Sequence, residues 1–309
     1  MRRAASTPGP RLLCTVWLAL TELAFGVPTP LALASPSRSS ETKPSSAEAA
    51  GPGPDSRPAA SAPARRFTLE QDVYLLSGEF GAPETTDILY APLILKSWGE
   101  RYEFSFVLPY LAVDGPSDIA VIDGVGIPTS PGTAGPRQSR SGPGDIVLRG
   151  EGFLVAGDLR RRPWVSALGR IKIPTADESK GLGTGEVDVS AGVSYTQPWG
   201  ARVSTFLDLA RKRVGDPPGI DLQDTTAVTA GINVRFARRL SGYLMYDRED
   251  SVVRGLVDGE SLIGGVSLRP RPGWRVSAAV FKGLSETRED TGGMLGLART
   301  WAVPGRPRP

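Results

Sequence analysis

Residues 165–195 read VSALGRIKIPTADESKGLGTGEVDVSAGVSY, and they contain one structural unit complete. Val165, Ala167, Gly169, Ile171 and Ile173 alternate with Ser166, Leu168, Arg170 and Lys172. After a break rich in glycine and acid the alternation resumes, with Val187, Val189, Ala191, Val193 and Tyr195 set against Asp188, Ser190, Gly192 and Ser194. A period of two is the mark of a strand, because successive side chains point to opposite faces. The stretch therefore predicts two facing strands joined by a polar loop. One face is small and apolar. The other carries Arg170, Lys172 and Asp188, which a dry core accepts only when paired and the wall of a water-filled lumen accepts easily.

The same pattern recurs from Phe67 onward. Twelve segments read as strands: 67–76, 86–96, 101–113, 145–156, 163–173, 187–197, 201–211, 225–236, 240–247, 260–268, 274–283 and 293–303. Their lengths cluster near the ~9 to 11 residues that a tilted strand needs to cross a bilayer. Short connections (97–100, 157–162, 198–200, 237–239, 269–273) alternate with long ones (77–85, 114–144, 174–186, 212–224, 248–259, 284–292). Long loops on one rim and tight turns on the other are the habit of a bacterial outer-membrane barrel, with the turns facing the periplasm. The predicted fold is thus all-β, a transmembrane up-and-down antiparallel β-barrel of about 12 strands with both termini on the periplasmic side. A soluble β-sandwich is the rival that alternation alone leaves open.

Charge keeps to one face of these strands. Tyr102, Phe104, Phe106, Leu108 and Tyr110 share one side of the third segment, with Arg101, Glu103, Ser105 and Val107 on the other. Extended to the other strands, the pattern gives a set of lumen-lining candidates: Arg101, Glu103, Asp145, Arg149, Glu151, Arg170, Lys172, Asp188, Asp208 and Arg235. Their mixed signs argue against a simple anion or cation filter. Tyr102, Tyr110, Trp164, Tyr195, Trp199, Tyr246 and Trp274 fall near strand ends, where aromatic girdles sit at membrane interfaces.

Ahead of the barrel region (67–303), residues 1–34 read as a secretory signal with Arg2, Arg3 and Arg11, an apolar run and Ala32-Leu33-Ala34 before the cleavage point. Residues 35–66 are a Pro/Ala/Ser-rich tether too poor in apolar surface to fold, and 304–309 form a short tail. Cys14 lies within the signal, so the exported chain has no thiol chemistry. Removing the signal takes three basic residues and one acidic one, leaving 33 Lys plus Arg against 32 Asp plus Glu, and nucleic acid is not expected as a partner. The sequence contains no histidine, which removes Ser-His hydrolases and His-based metal sites. No catalytic residue, metal or cofactor is expected. The Gly181-x-Gly183-x-Gly185 cluster reads as an external loop, since no helix follows to supply phosphate-binding amides.

Three motifs carry a resemblance. Lys172-Ile173-Pro174-Thr175, followed by Gly181-Leu182-Gly183-Thr184-Gly185 and Asp188, resembles the signature of the outer-membrane transporter family named after a phenol-degradation (meta-pathway) gene cluster. Gly142-Pro143-Gly144-Asp145-Ile146 and Phe106-Val107-Leu108-Pro109-Tyr110 are similar to that family's earlier motifs, and together the motifs span roughly a third of the chain. Where the family usually has Gly after the Pro-Thr pair, this chain has Ala176. The resemblance implies an outer-membrane barrel with a transport role, and hydrophobic or aromatic compounds among its solutes. The function expected is passive passage of a small-molecule solute, with the outer-membrane lipid bilayer and the barrel-assembly machinery as partners. A sealed structural or adhesion barrel binding through its long loops, chiefly 114–144, is the alternative, and a secreted soluble β-domain the third reading. Trp301 stands where such barrels carry a terminal aromatic for assembly, followed here by AVPGRPRP.

Overall fold

The structure, a computed structural model, describes residues 65–303 apart from 131, 159–160 and 218–219; the predicted signal, the tether up to residue 64 and the tail lie outside the described residues. Fifteen strands follow in order: β1 (Arg65–Gly78), β2 (Thr86–Trp98), β3 (Tyr102–Pro116), β4 (Ile119–Ile122), β5 (Val125–Pro128), β6 (Arg137–Pro143), β7 (Ile146–Val155), β8 (Trp164–Ile173), β9 (Asp188–Trp199), β10 (Val203–Arg213), β11 (Thr225–Arg235), β12 (Leu240–Glu249), β13 (Gly259–Leu268), β14 (Trp274–Gly283) and β15 (Thr291–Val303). Consecutive wall strands pair antiparallel, and β1 pairs with β15 from Arg65↔Val303 to Ser77↔Thr291. That last ladder closes the sheet on itself and leaves no edge. The twelve strands read from the sequence are the twelve wall strands, with β1 starting two residues earlier, at Arg65.

The connection 114–144 departs from expectation, because it is not simply an external loop. It holds β4, β5 and β6. The last of these pairs with the upper half of β3, Tyr110↔Pro143 to Pro116↔Arg137, while β7 pairs with the lower half, Tyr102↔Gly152 to Val107↔Val147. The fourth wall strand is therefore one strand interrupted at Gly144 and Asp145. Pro143 has no N–H to give the ladder, and the Gly144 N–H instead reaches the carbonyl of Pro109 at 2.9 Å.

Alternation sorts the side chains. Phe104, Phe106, Leu108 and Tyr110 on β3, Val189, Val193 and Tyr195 on β9, and Leu295 and Leu297 on β15 are exposed on the outside. Glu103, Arg149, Glu151, Arg170, Lys172, Asp188 and Asp208 are buried on the inside. A soluble protein exposing such a belt would aggregate. Around a closed barrel it is the surface that faces hydrocarbon. The protein is an outer-membrane β-barrel, and the soluble reading falls with this inside-out distribution. Trp164 corrects the girdle assignment: it is 6% exposed and faces inward, edge-on to Phe153 with ring centroids 6.2 Å apart. It shares the parity of Ser166 and Arg170, and parity decides the face.

Orientation follows from the rims. A protease tag inserted after Gly132, where an added Cβ would meet only open space, is expected to be cut on intact cells, and one after Arg238 in the short β11–β12 turn is expected to be protected. Cutting at Arg238 with protection at Gly132 would reverse the barrel.

Candidate functional site: the plugged lumen

β4 and β5 pair with each other, Ile119↔Pro128 to Ile122↔Val125, and with no wall strand. Their turn is Asp123-Gly124, both at positive φ (58° and 87°), the geometry of the tight hairpin turn that suits strand twist. Ile119, Ala120, Val121 and Ile122 are all buried, so both faces of the hairpin are covered. Val121 joins an apolar cluster with Tyr74, Tyr90, Met245, Ile263 and Met294, inward residues of five wall strands. Ala120, Ile122 and Ile127 cluster with Leu222, Val252 and Val253 from the long loops. The hairpin is thus a plug set into the long-loop mouth of the barrel.

Polar contacts fix it at three places. At its root, Arg140 of β6 donates to the carbonyls of Pro116 (3.1 Å), Ser117 (3.2 Å) and Ile119 (2.6 Å). At its side, the Val121 N–H donates to the Gly181 carbonyl at 3.0 Å. At its tip, the Asp123 carboxylate accepts a hydrogen bond from Arg170 and lies 3.7 Å from Lys212 Nζ. Lys212 also pairs with Glu249 at 2.8 Å, and Glu249 with Arg288 at 3.3 Å, so the tip joins an ion-pair chain across the lumen.

Burial pushes the Asp123 carboxyl up, but Arg170, Lys212 and Lys172 outweigh it and hold the group at about 2, below the usual 3.8. A depressed pKa means that the carboxylate's contribution is fully present above the ordinary value and lost only as pH falls through the folded one. Plug occupancy should therefore be indifferent to pH from neutrality down to about 4. Open-state probability rising between pH 7 and about 5 would place the controlling group elsewhere.

Beside the plug, Lys172 is fully buried, with its Nζ 3.0 Å from Asp188, 3.3 Å from Asp145 and 3.0 Å from Thr184 Oγ1. Asp145 also accepts the backbone N–H groups of Thr175 (3.0 Å) and Ala176 (2.9 Å). A Cβ at Gly183 would stand 2.8 Å from both the Asp145 carboxylate and the Ala176 methyl, so the close approach requires glycine there. The Gly142–Ile146, Lys172–Thr175 and Gly181–Gly185 segments and Asp188 thus converge on one knot. Ala176 serves it through its N–H, which needs no glycine.

The other candidates are spread along the wall. Glu103 and Glu151 are cross-strand neighbours, as are Arg149 and Arg170, and Asp208 lies opposite Ser194 and Thr229. Arg235 is half-buried at the turn end of β11. Arg101 is a correction: it is exposed in the turn before β3, because that strand begins one residue later, at Tyr102. Sequence reasoning missed Asp123, Arg140 and Lys212, which fell in predicted loops, and the Glu70–Lys96 pair (3.1 Å), to which Arg275 also binds. The parity of Thr68, Glu70, Asp72 and Tyr74 in β1 was the signal for Glu70.

No curated protein matches the chain. Among solved structures, an outer membrane channel from Pseudomonas putida F1 superposes with a TM-score of 0.60 at 12% identity, covering 81% of this chain and 100% of that one. The translocator domain of the autotransporter NalP from Neisseria meningitidis gives a TM-score of 0.46 at 12% identity, over 77% of this chain and 88% of its own. Residues 72–301 match the model of the family described as "Putative MetA-pathway of phenol degradation", a span holding every segment of the Lys172 knot, and the chain belongs to that family.

Proposed function

We propose that the protein is an outer-membrane channel that passes small solutes passively, hydrophobic or aromatic ones among them, with the β4–β5 hairpin as its plug. One observation carries this reading. The hairpin's strands pair with each other and not with the wall, so it can leave the mouth without breaking a single rung of the barrel ladder. A permanent stopper would gain by joining that ladder. The inner surface behind it, with Tyr74, Tyr90, Phe281, Met245 and Ile263, offers an apolar solute contacts that water does not. The Pseudomonas channel of similar fold supports the class, and the solute is the finer part of the proposal.

The sealed structural barrel has its own favouring observation, the run of buried ion pairs from Arg170 to Arg288 through Asp123, Lys212 and Glu249. Planar-bilayer recording separates the two readings. A parent chain that shows the heat-dependent gel shift of a folded barrel is expected to give small, interrupted currents, and proteoliposomes should take up phenol faster than protein-free ones. Steady silence in both assays from a folded parent would decide for the sealed barrel.

A further inference from the structure

At the opposite, short-turn end, the lumen opens into a cavity of about 370 Å³. Arg66, Arg238, Arg239, Arg269, Arg271 and Arg275 line it, and no carboxylate does among the described residues. These arginines come from four separate places: the start of β1, the β11–β12 turn, the β13–β14 turn and the start of β14. The rest of the wall is largely apolar or aromatic, with Trp98, Pro272, Trp274 and Ala298, together with Thr68 and Thr300. Guanidinium groups sit over both indoles, Arg66 at 5.7 Å from the Trp98 ring and Arg271 and Arg299 at 4.8 and 4.9 Å from that of Trp274. Such stacking holds the guanidinium planes in place while leaving their N–H edges to donate.

Two buried donors stand behind this wall. Trp98 is 2% exposed, and its Nε1 has no hydrogen-bond acceptor. Arg275 is 6% exposed; one arm of its fork pairs with Glu70, and its Nη1 has none. Packing shields both of these atoms from the cavity, so the donors it offers are the exposed guanidinium edges of turn arginines such as Arg238, Arg239 and Arg271. Cationic donors gathered where no carboxylate lines the wall call for a negative acceptor. The volume is within the range of small-molecule pockets, larger than an inorganic anion needs, and its Trp, Pro and Ala surfaces suit an apolar body.

We infer that the turn-side mouth is a binding site for a small organic carboxylate, its oxygens held by the arginine forks and its body against the Trp and Pro surfaces. The inference goes beyond the channel reading and does not depend on it, because binding at this mouth requires no open plug.

The test is calorimetric titration of the full-length chain, refolded in uncharged detergent, with benzoate. Saturable benzoate binding is expected, with none for benzamide, which has the same ring and no charge. Arg238→Ala with Arg271→Ala, both at exposed turn positions, should weaken binding roughly tenfold or more for each guanidinium removed. Inorganic phosphate at equal concentration should fail to displace benzoate. Equal binding of benzamide, an unchanged affinity in the folded double arginine variant, or displacement by phosphate would each overturn the proposal. So would loss of benzoate binding in nanodiscs of phosphatidylglycerol but not of phosphatidylcholine, which would make the mouth a lipid-headgroup site. Bilayer currents report on the channel separately, so a silent barrel that binds benzoate leaves this inference standing.

Discussion

Replacing Asp123 by Ala should turn small, interrupted currents into large, sustained ones. Asp123 is the hairpin's contact with Arg170 and Lys212, whose side chains are 4% and 3% exposed. Removing the carboxylate leaves two buried cations near one another, with Lys212 still served by Glu249 and Arg170 stripped of its ion pair with the tip. Breaking a buried pair from one side costs about 3 to 5 kcal/mol. The location of that cost decides the outcome. The hairpin shares no ladder with the wall, so the penalty falls on the plugged arrangement and not on the barrel. Each ~1.4 kcal/mol is a tenfold change in a two-state ratio, and a penalty at the lower end already moves the plug equilibrium about a hundredfold toward open. Asp123→Asn is the intermediate case, because it keeps an acceptor for Arg170 and loses the charge. Its conductance should lie between the parent and Asp123→Ala. Identical currents from all three, with the gel shift intact, would mean that Arg140 and Gly181 hold the plug without help from the tip, and the latch would have to be abandoned.

The wall was legible in the sequence because a membrane barrel makes parity absolute: one face of each strand meets lipid and the other the lumen, so Arg170 and Ile171 cannot exchange sides. That rule located all twelve wall strands and separated Glu103 and Glu151 from Phe104 and Leu148. It had no purchase on the plug. Both faces of Ile119–Ile122 are buried, which erases alternation, and strands of four residues are too short for a period to be read. A different signal lay in the same residues, an Asp-Gly pair between the apolar runs IAVI and VGIP, the composition of a two-residue hairpin turn. Trp164 shows two signals in conflict, since its place near a strand end suggests a girdle and its parity sends it inward. Partners such as Asp123 with Lys212 lie 89 positions apart on segments that the ladder does not pair, and no local pattern announces them.

Lys172→Glu should prevent the barrel from folding. Lys172 Nζ lies between Asp145 and Asp188, at 3.3 and 3.0 Å, and its side chain is 1% exposed, so the reversal gathers three carboxylates where one ammonium served two. Removing the charge alone, as in Lys172→Met, leaves both carboxylates buried without it, at a cost of about 3 to 5 kcal/mol. That is a large part of the ~5 to 15 kcal/mol by which folded proteins usually exceed their unfolded states. The reversal adds repulsion to that loss. Arg170→Met provides the contrast, since the ion pair of Arg170 is with the plug and Asp188 of the knot acts on it only at longer range, and its loss should free the hairpin with a smaller effect on the wall. Refolding into micelles, followed by the heat-dependent gel shift and a urea midpoint, reads both quantities. The order of stability expected is parent, then Arg170→Met, then Lys172→Met, with no folded band for Lys172→Glu. The knot's position gives the order its meaning. Asp145 stands at the break in the fourth wall strand and accepts the N–H groups of Thr175 and Ala176, which begin the loop whose Gly181 carbonyl receives Val121 of the plug. Lys172 thus joins an interrupted strand, the loop that crosses it and the plug beside them. If Lys172→Glu folds as well as Arg170→Met, the knot carries none of that connection, and the break at Asp145 must be held by the β3 ladder alone.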